Sequence, residues 1–526
     1  MIDLDRELRD YAELMEQVMG PIHVEAFRGE RRARPRPFRR GLAVAWIAAT
    51  IVVLVIAAVV IIDPFGEEAP FIEEPTTVST TTTEPAPATT EATPTTTEAT
   101  PSDPPVITWE RIDAPGAFDL AGGYFFGQGG YPTAAAPGQT IEAILAVEDC
   151  PEGPGCGDVA GYVAGGRTGI QRVEPAGEWA TGILWGSWDA AIWISEDGEN
   201  WTAVTGPGFA GEDGERIRAL ASDGRRIVAV GTFNSLEGWV RAVVWYSDDL
   251  GRTWTAVEDE SFVTRKCWSG NRDMCSLGGM TDVAWTGEGF VAVGDGFWFS
   301  PDGITWERTA ELEPPQAAAS VTRFGSRWIA VGRGPRLSMP DQESMPDPWD
   351  QSLNSAAVWI SDDARSWELI FVDDSNWGFA ADVVAGPDGP LAVGWTWDGV
   401  KKLPAAWRSD GGTSWEAVFP TEQQKASFPP WGGHWAEVGR LGKWLFATND
   451  LPSDIRGDLE TRPDMWASPD GGISWIDIPL GFVLELHQDR ILGLGVLPFP
   501  SGGEPKLLLT GYHLTDAAVW VGTIDE

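Results

Sequence analysis

From about residue 170 onward the chain alternates short apolar runs with breaks rich in Gly, Asp and Asn. IRALASDGRRIVAVGT (217–232), TDVAWTGEGFVAVGD (281–295), SVTRFGSRWIAVGR (320–333) and ADVVAGPDGPLAVGW (381–395) each read as two strands joined by a tight turn. A second hairpin follows, with a tryptophan at either end: WISEDGENW from Trp193, WYSDDLGRTW from Trp245, WFSPDGITW from Trp298, WISDDARSW from Trp359, WRSDGGTSW from Trp407 and WASPDGGISW from Trp466. The leading tryptophans are 52, 53, 61, 48 and 59 residues apart, and a further 54 residues lead to Trp520 in AAVWVG. Each unit is therefore a four-stranded antiparallel sheet. Sheets recurring at this period predict an all-β protein, a β-propeller of four-stranded blades.

The turn between each pair of tryptophans carries a more specific pattern. Ser247, Asp249, Gly251, Thr253 and Trp254 fit S-x-D-x-G-x-[ST]-W, as do Ser468, Asp470, Gly472, Ser474 and Trp475. The turns at Ser195, Ser300 and Ser361 are one residue shorter, and at Ser409 the acid, Asp410, comes one place early. This pattern resembles the Asp-box of the bacterial neuraminidase repeat, shared by sialidases, sortilin-type receptors and photosystem assembly factors, and the resemblance covers residues 109–526. In such a turn the Asp and Ser oxygens accept backbone N–H groups, Gly tolerates the positive φ, and the closing Trp is buried between sheets. Asp197, Asp249, Asp302, Asp363 and Asp470 are thus expected to be structural, because the same chemistry in every blade argues for architecture over calcium binding or catalysis. Sialidase catalytic motifs are missing. The Arg-Ile-Pro start of that family is replaced by Arg111-Ile112-Asp113, and no nucleophile constellation is visible.

ITWERI (107–112) looks like the strand that follows a box, ITWERTA at Ile304, while the C-terminus stops after a third-strand segment. The N-terminal strand is therefore expected to complete the last blade. Counting Trp strands at 193, 245, 298, 359, 407, 466 and 520 gives seven blades, with Asp113–Gly169 an elaborated first blade or an insertion. Six or eight blades are the alternatives, since that stretch is the least regular.

The N-terminal part follows other rules. GLAVAWIAATIVVLVIAAVVII (41–62) is uncharged and long enough, at about 1.5 Å per helical residue, to cross about 30 Å of hydrocarbon. Seven arginines between Phe27 and Arg40 precede it and acids follow, so the positive-inside rule puts 1–40 in the cytoplasm. Residues 2–19 space their apolar side chains as an amphipathic helix, read as a solvated leader or a docking helix for a cytosolic partner. The Thr/Pro-rich segment 63–105 has the composition of a disordered, mucin-like stalk. The expectation is a single-pass cell-membrane protein holding residues 106–526 outside the cell.

Of 78 acids and 37 bases, residues 1–40 hold 8 and 9, which leaves 70 and 28 and a net charge of −42 beyond them. That field excludes nucleic acid as a partner and repels acidic ligands unless a local basic pocket intervenes. Cys150 with Cys156 and Cys267 with Cys275 form two close pairs, read as local disulfides in an oxidising compartment, with zinc the weaker alternative. No CxxC pair or nearby His completes a metal-ligand set, and neither a metal nor a cofactor is expected.

In an antiparallel blade, the strand 1–2 and strand 3–4 turns share one face, while the strand 2–3 loops and blade linkers share the other. The longer, more varied loops belong to the second face, where recognition is expected. It is rich in aromatics: Trp239, Trp268, Trp349, Trp377, Trp395, Trp397, Trp431 and Trp435, with Arg333, Arg336, Lys401 and Lys402 among them. Trp239, Arg333, Trp349, Trp377, Trp395, Trp397, Trp431 and Trp435 are the candidate ligand-binding residues, although individual rings could instead pack loops onto the scaffold. The reading is a non-catalytic binding protein for glycan or protein ligands; the alternative is a glycoside hydrolase with paired carboxylates on this face. A sensor reporting inward through residues 2–19 is a third possibility.

Overall fold

The computed structural model describes most of residues 105–525; residues 1–104 and several connecting segments, among them 113–122, 149–158, 169–188, 267–277, 337–353, 420–434, 450–464 and 481–488, lie outside the described set. The predicted helix at 2–19, span at 41–62, almost all of the stalk and all four cysteines fall there. Among the described residues no helix is long and apolar enough to cross a membrane.

The described residues form a seven-bladed β-propeller. The innermost strands of blades 1 to 7 are Gln139–Glu148, Glu215–Ser222, Met280–Trp285, Ala317–Phe324, Gly378–Gly386, Trp435–Leu441 and Asp489–Phe499. Each packs beside the next, and the seventh returns to the first, so they enclose a central channel. The seventh blade is closed as the sequence suggests: Val106–Ile112 pairs antiparallel with Asp516–Asp525, running from Val106 opposite Asp525 to Ile112 opposite Val519. The irregular stretch before Gly169 resolves into two things. Gln139–Glu148 and Val159–Thr168 are the first two strands of blade 1, whereas Gly123–Phe126 and Pro132–Ala136 make a separate two-stranded hairpin. A short strand, Arg265–Lys266, also adds to blade 2 beside Trp239 and Val240.

Seven apolar clusters hold the ring, one at each junction between neighbouring blades. The third-strand tryptophans Trp193, Trp245, Trp298 and Trp407 are each buried within one of them. Each such ring removes on the order of 150–250 Å² from water, which is why a sheet with two apolar faces is stable only between two others.

One residue of the second strand sets the shape of the first. Ile141, Ile217, Met280, Ala318 and Ala380 face Gly166, Gly231, Gly294, Gly332 and Gly394, and in every case the inner strand bulges at the next residue. A Cβ on Gly294 would lie 1.8 Å from the Gly279 carbonyl oxygen, and on Gly231 1.8 Å from that of Arg216. Only glycine permits this approach. The bulge is the local response: one extra residue bends the strand and re-aims the following side chain into the channel. The recurrent AVG of the sequence is the mark of this contact.

Replacing Gly294 by Ala should destabilise the propeller by about 3 kcal/mol, the upper end of the range for overpacking, because the clashing atom is backbone. Gly411→Ala, where an added Cβ meets nothing within 4 Å, should stay within about 0.5 kcal/mol of wild type. Denaturant unfolding of the two variants compares them directly.

Candidate functional site

Three sets of side chains have the chemistry to act: the box carboxylates, the loop-face aromatics and the polar lining of the channel.

In the boxes the oxygens are spent on their own turns. Ser247 Oγ accepts the Gly251 N–H at 2.9 Å and donates to Asp249 Oδ1 at 2.8 Å. Asp249 in turn accepts the Thr253 N–H at 2.8 Å and the Thr253 hydroxyl at 2.6 Å. Trp254 Nε1 donates to the Gly251 carbonyl at 2.8 Å, locking the ring against the turn. Gly251 has φ +83°, the left-handed region. Asp197, Asp302, Asp363 and Asp470 repeat the arrangement. Blade 5 departs from it. Gly411 occupies the place of the acid, Ser409 alone caps Gly412, and Asp410 turns outward to Arg408 at 3.1 Å. Backbone and side-chain hydrogen bonds from Asn200 hold Asp197 down at about 2, and the Ser366 and Arg365 donors depress Asp363 despite opposing desolvation. Carboxylates so satisfied have their oxygens committed to donors of their own turns.

On the loop face the structure separates the aromatic candidates. At the end of blades 4 and 5, the Trp397 N–H donates to the Trp377 carbonyl at 2.8 Å, and Trp377 and Trp397 are half-buried. Lys402 Nζ lies 4.4 Å from the Trp395 ring centroid, and the Arg333 guanidinium lies 6.0 Å from that of Phe379, which pairs with Trp395 in the sheet. Arg333, Trp377, Trp395 and Trp397 are therefore one cluster. Trp239 stands apart on blade 2 and is 36% exposed. Two residues need correction as contact residues. Trp435 is fully buried, stacked on Phe419 at 4.4–4.8 Å from the Phe419 and Trp475 rings, so it is a core ring of the blade 5–6 junction. Trp395 is buried too, with the half-buried Lys402 against its ring. Composition marks a segment as aromatic without saying which way a ring points. Trp349 and Trp431 lie outside the described residues.

The channel was not anticipated. A cavity of about 220 Å³ is lined by Glu142, Arg218, Asp282, Ser320, Asp382 and Glu437, with Gly493, Gly495 and Thr510 on blade 7. All but Thr510 come from the innermost strands, at or within three residues of the bulge. On the side of blades 1 and 2, the buried Glu142 carboxylate takes Arg167 and Arg218 at 3.5 Å and Arg216 at 3.9 Å. Burial, then the neighbouring Arg218 charge, lowers Arg216 below the usual guanidinium range. Blades 3, 5 and 6 supply acids instead, Asp282, Asp382 and Glu437, and blade 4 supplies Ser320. Ser320 Oγ is 3.0 Å from Asp282 Oδ2 and 2.6 Å from Asp382 Oδ1, so those oxygens are at most about 5.6 Å apart. Val321 N–H donates to Asp282 Oδ2 and Val438 N–H to Asp382 Oδ2, both at 2.8 Å, so each carboxyl also ties its blade to the next inner strand. A signal was available in the sequence: TDV, ASV, ADV and AEV each place a polar residue between small and β-branched ones at the same point of four inner strands.

No protein-family model matches the chain, and no curated protein sequence matches it either. Among solved structures it is similar to the WD40 β-propeller domain of Doa1, at 10% identity over 75% of this chain and 96% of that one, TM-score 0.38. A second is the β-propeller domain of the Trilobed protease from Pyrococcus furiosus, at 12% identity over 68% and 91%, TM-score 0.37. A third is a β-1,3-galactosidase with galactodeoxynojirimycin, at 12% identity over 58% and 96%, TM-score 0.27.

Because Asp197 is held below its unfolded value, its contribution is complete above about pH 4 and is lost as pH falls towards 2. The Tm difference between wild type and Asp197→Asn, present at pH 6, should therefore close on acidification. A difference constant from pH 6 to pH 2 would show that the charge plays no part.

Proposed function

We propose that this chain is a membrane-anchored, extracytoplasmic recognition protein whose propeller binds a glycan or protein ligand on its loop face without catalysis. The observation that carries the reading is the direction of chain entry. Val106 pairs with Asp525, the end of a third strand, and third strands end on the box face. The chain therefore enters the propeller on the box face, which leaves the loop face clear of that entry point. The Asp-box resemblance supports the same division, with boxes holding the fold and loops left to vary.

The Arg333, Trp377, Trp397 and Lys402 cluster is the contact region on this reading. Half-buried tryptophans with nearby cations suit the flat apolar and hydroxylated faces of a sugar or the side chains of a protein partner. The Arg167, Arg216 and Arg218 group surrounds the buried Glu142 carboxylate, a local excess of positive charge within an acidic domain. The glycoside-hydrolase alternative draws on the channel carboxylates, whose separation suits a retaining pair. Against it, all four oxygens of Asp282 and Asp382 accept backbone N–H groups, from Val283, Val321, Val383 and Val438. A nucleophile or acid so occupied has little freedom to meet a substrate.

Glycan-array binding by the full-length protein tests the proposal. Trp397→Ala and Trp377→Ala should weaken binding by about tenfold or more while leaving Tm within a few degrees. Binding unchanged by both variants, or release of sugar from the array by wild type but not by Asp282→Asn, would reject non-catalytic recognition at this cluster. For the topology, protease added to intact cells should remove the propeller and spare residues 1–40; the reverse pattern would overturn it.

A further inference from the structure

The hydrogen count around Ser320 does not close if Asp282 and Asp382 are both ionised. A serine hydroxyl has one hydrogen, yet carboxyl oxygens stand on both sides of Ser320 Oγ at 3.0 and 2.6 Å. Asp282 Oδ1 accepts the Val283 N–H at 2.8 Å and Asp382 Oδ1 the Val383 N–H at 2.7 Å, while the two Oδ2 atoms accept from Val321 and Val438. No backbone donor is left over to sit between the serine oxygen and the second carboxylate. With both acids charged, one of the two short contacts would set lone pair against lone pair.

We propose that Asp282, Ser320 and Asp382 form a single proton-binding site that latches blades 3 to 6 together, holding one acidic proton in mildly acidic solution. In the closed form the Asp282 carboxyl donates its proton to Ser320 Oγ, and the Ser320 hydroxyl donates to Asp382 Oδ1. Removing that proton leaves two negative charges and one hydroxyl hydrogen, so Ser320 must release one of its partners. The site bridges four successive inner strands: Asp282 reaches from blade 3 to Val321 on blade 4, Ser320 from blade 4 to Asp382 on blade 5, and Asp382 to Val438 on blade 6.

The charged groups facing the pair across the channel are Glu142 on blade 1, Arg218 on blade 2 and Glu437 on blade 6; the lining residues of blade 7 carry no charge. Arg218 is engaged with Glu142 at 3.5 Å. Burial first, with the Asp382 charge adding to it, pushes Asp282 up to about 7 against the pull of its hydrogen bonds, and burial raises Asp382 as well. The folded protein therefore holds the proton more tightly than the unfolded chain does. The latch is complete at acidic pH and is lost as pH rises through about 7.

The test is the Tm of the full-length protein from pH 5 to pH 9, for wild type and Asp282→Asn. Asn at this position cannot acquire the charge, but its amide nitrogen cannot accept the Val321 N–H that Asp282 Oδ2 accepts. Wild type should lose a few degrees between pH 5 and pH 9, whereas the Asp282→Asn curve, lower at pH 5 for the lost Val321 acceptor, should stay flat over that interval. Parallel curves would overturn the proposal. Infrared spectroscopy of the unaltered protein gives a reading that does not depend on a variant's folding. A protonated-carboxyl C=O band should be present at pH 6, where ordinary carboxyls are ionised, and disappear by pH 9; its absence at pH 6 would also overturn the proposal.

Discussion

The close approach of a first-strand carbonyl to a second-strand glycine governs the rest of this propeller. At Gly166, Gly231, Gly294, Gly332 and Gly394 a Cβ would fall within about 2.1 Å of that oxygen. The approach obliges the inner strand to bulge. The bulge then bends each blade at the rim of the channel and turns Asp282, Ser320 and Asp382 inward, where they meet the neighbouring strand. A residue without a side chain on one strand thus decides which side chains of the next can bond between blades. Blade 6, with Asn449 opposite Trp435, keeps the bulge without the glycine.

Aspartate is used in opposite ways at the two depths of a blade. At the outer turns it meets several N–H donors near solvent, which favours the charged form and holds Asp197 and Asp363 low. Beside the channel it also accepts two N–H groups, yet loss of hydration and a second carboxyl outweigh them at Asp282. The donor count is similar, so desolvation decides the difference. This chemistry is local, and the large negative charge of the whole chain does not set it.

The repeat made most of the scaffold legible. The Trp-flanked turns fixed where strands three and four lie, their spacing gave the blade count, and ITWERI at the start matched the unfilled place at the end. Legibility fails where position in space departs from position in the repeat. Trp435 and Trp397 belong to equally aromatic segments, yet one is packed against Phe419 and the other stands at the rim, because the pleat direction at a blade's edge is set by the neighbouring sheet. Likewise Gly123–Phe126 and Pro132–Ala136 pair with each other and join no blade, although they sit inside what the period would assign to the first one. The channel acids were readable only by aligning inner strands, since Asp282 and Asp382 lie 100 residues apart and meet through Ser320.

The closing blade has a consequence for how the molecule comes into being. Among the described residues Val106–Ile112 is the first strand of the propeller in chain order, and its partner in the sheet, Asp516–Asp525, is the last. Blades 1 to 6 can each assemble from contiguous chain as it appears, and successive blades can stack while translation continues. The first strand must wait with an unpaired edge until more than four hundred residues have followed it. Closing so long a loop carries little additional entropy per residue but delays the final pairing until the seventh blade has been made. The ring is therefore an open arc for nearly the whole of its assembly, and its two terminal strands are where a stalled or truncated chain would present an edge to other molecules.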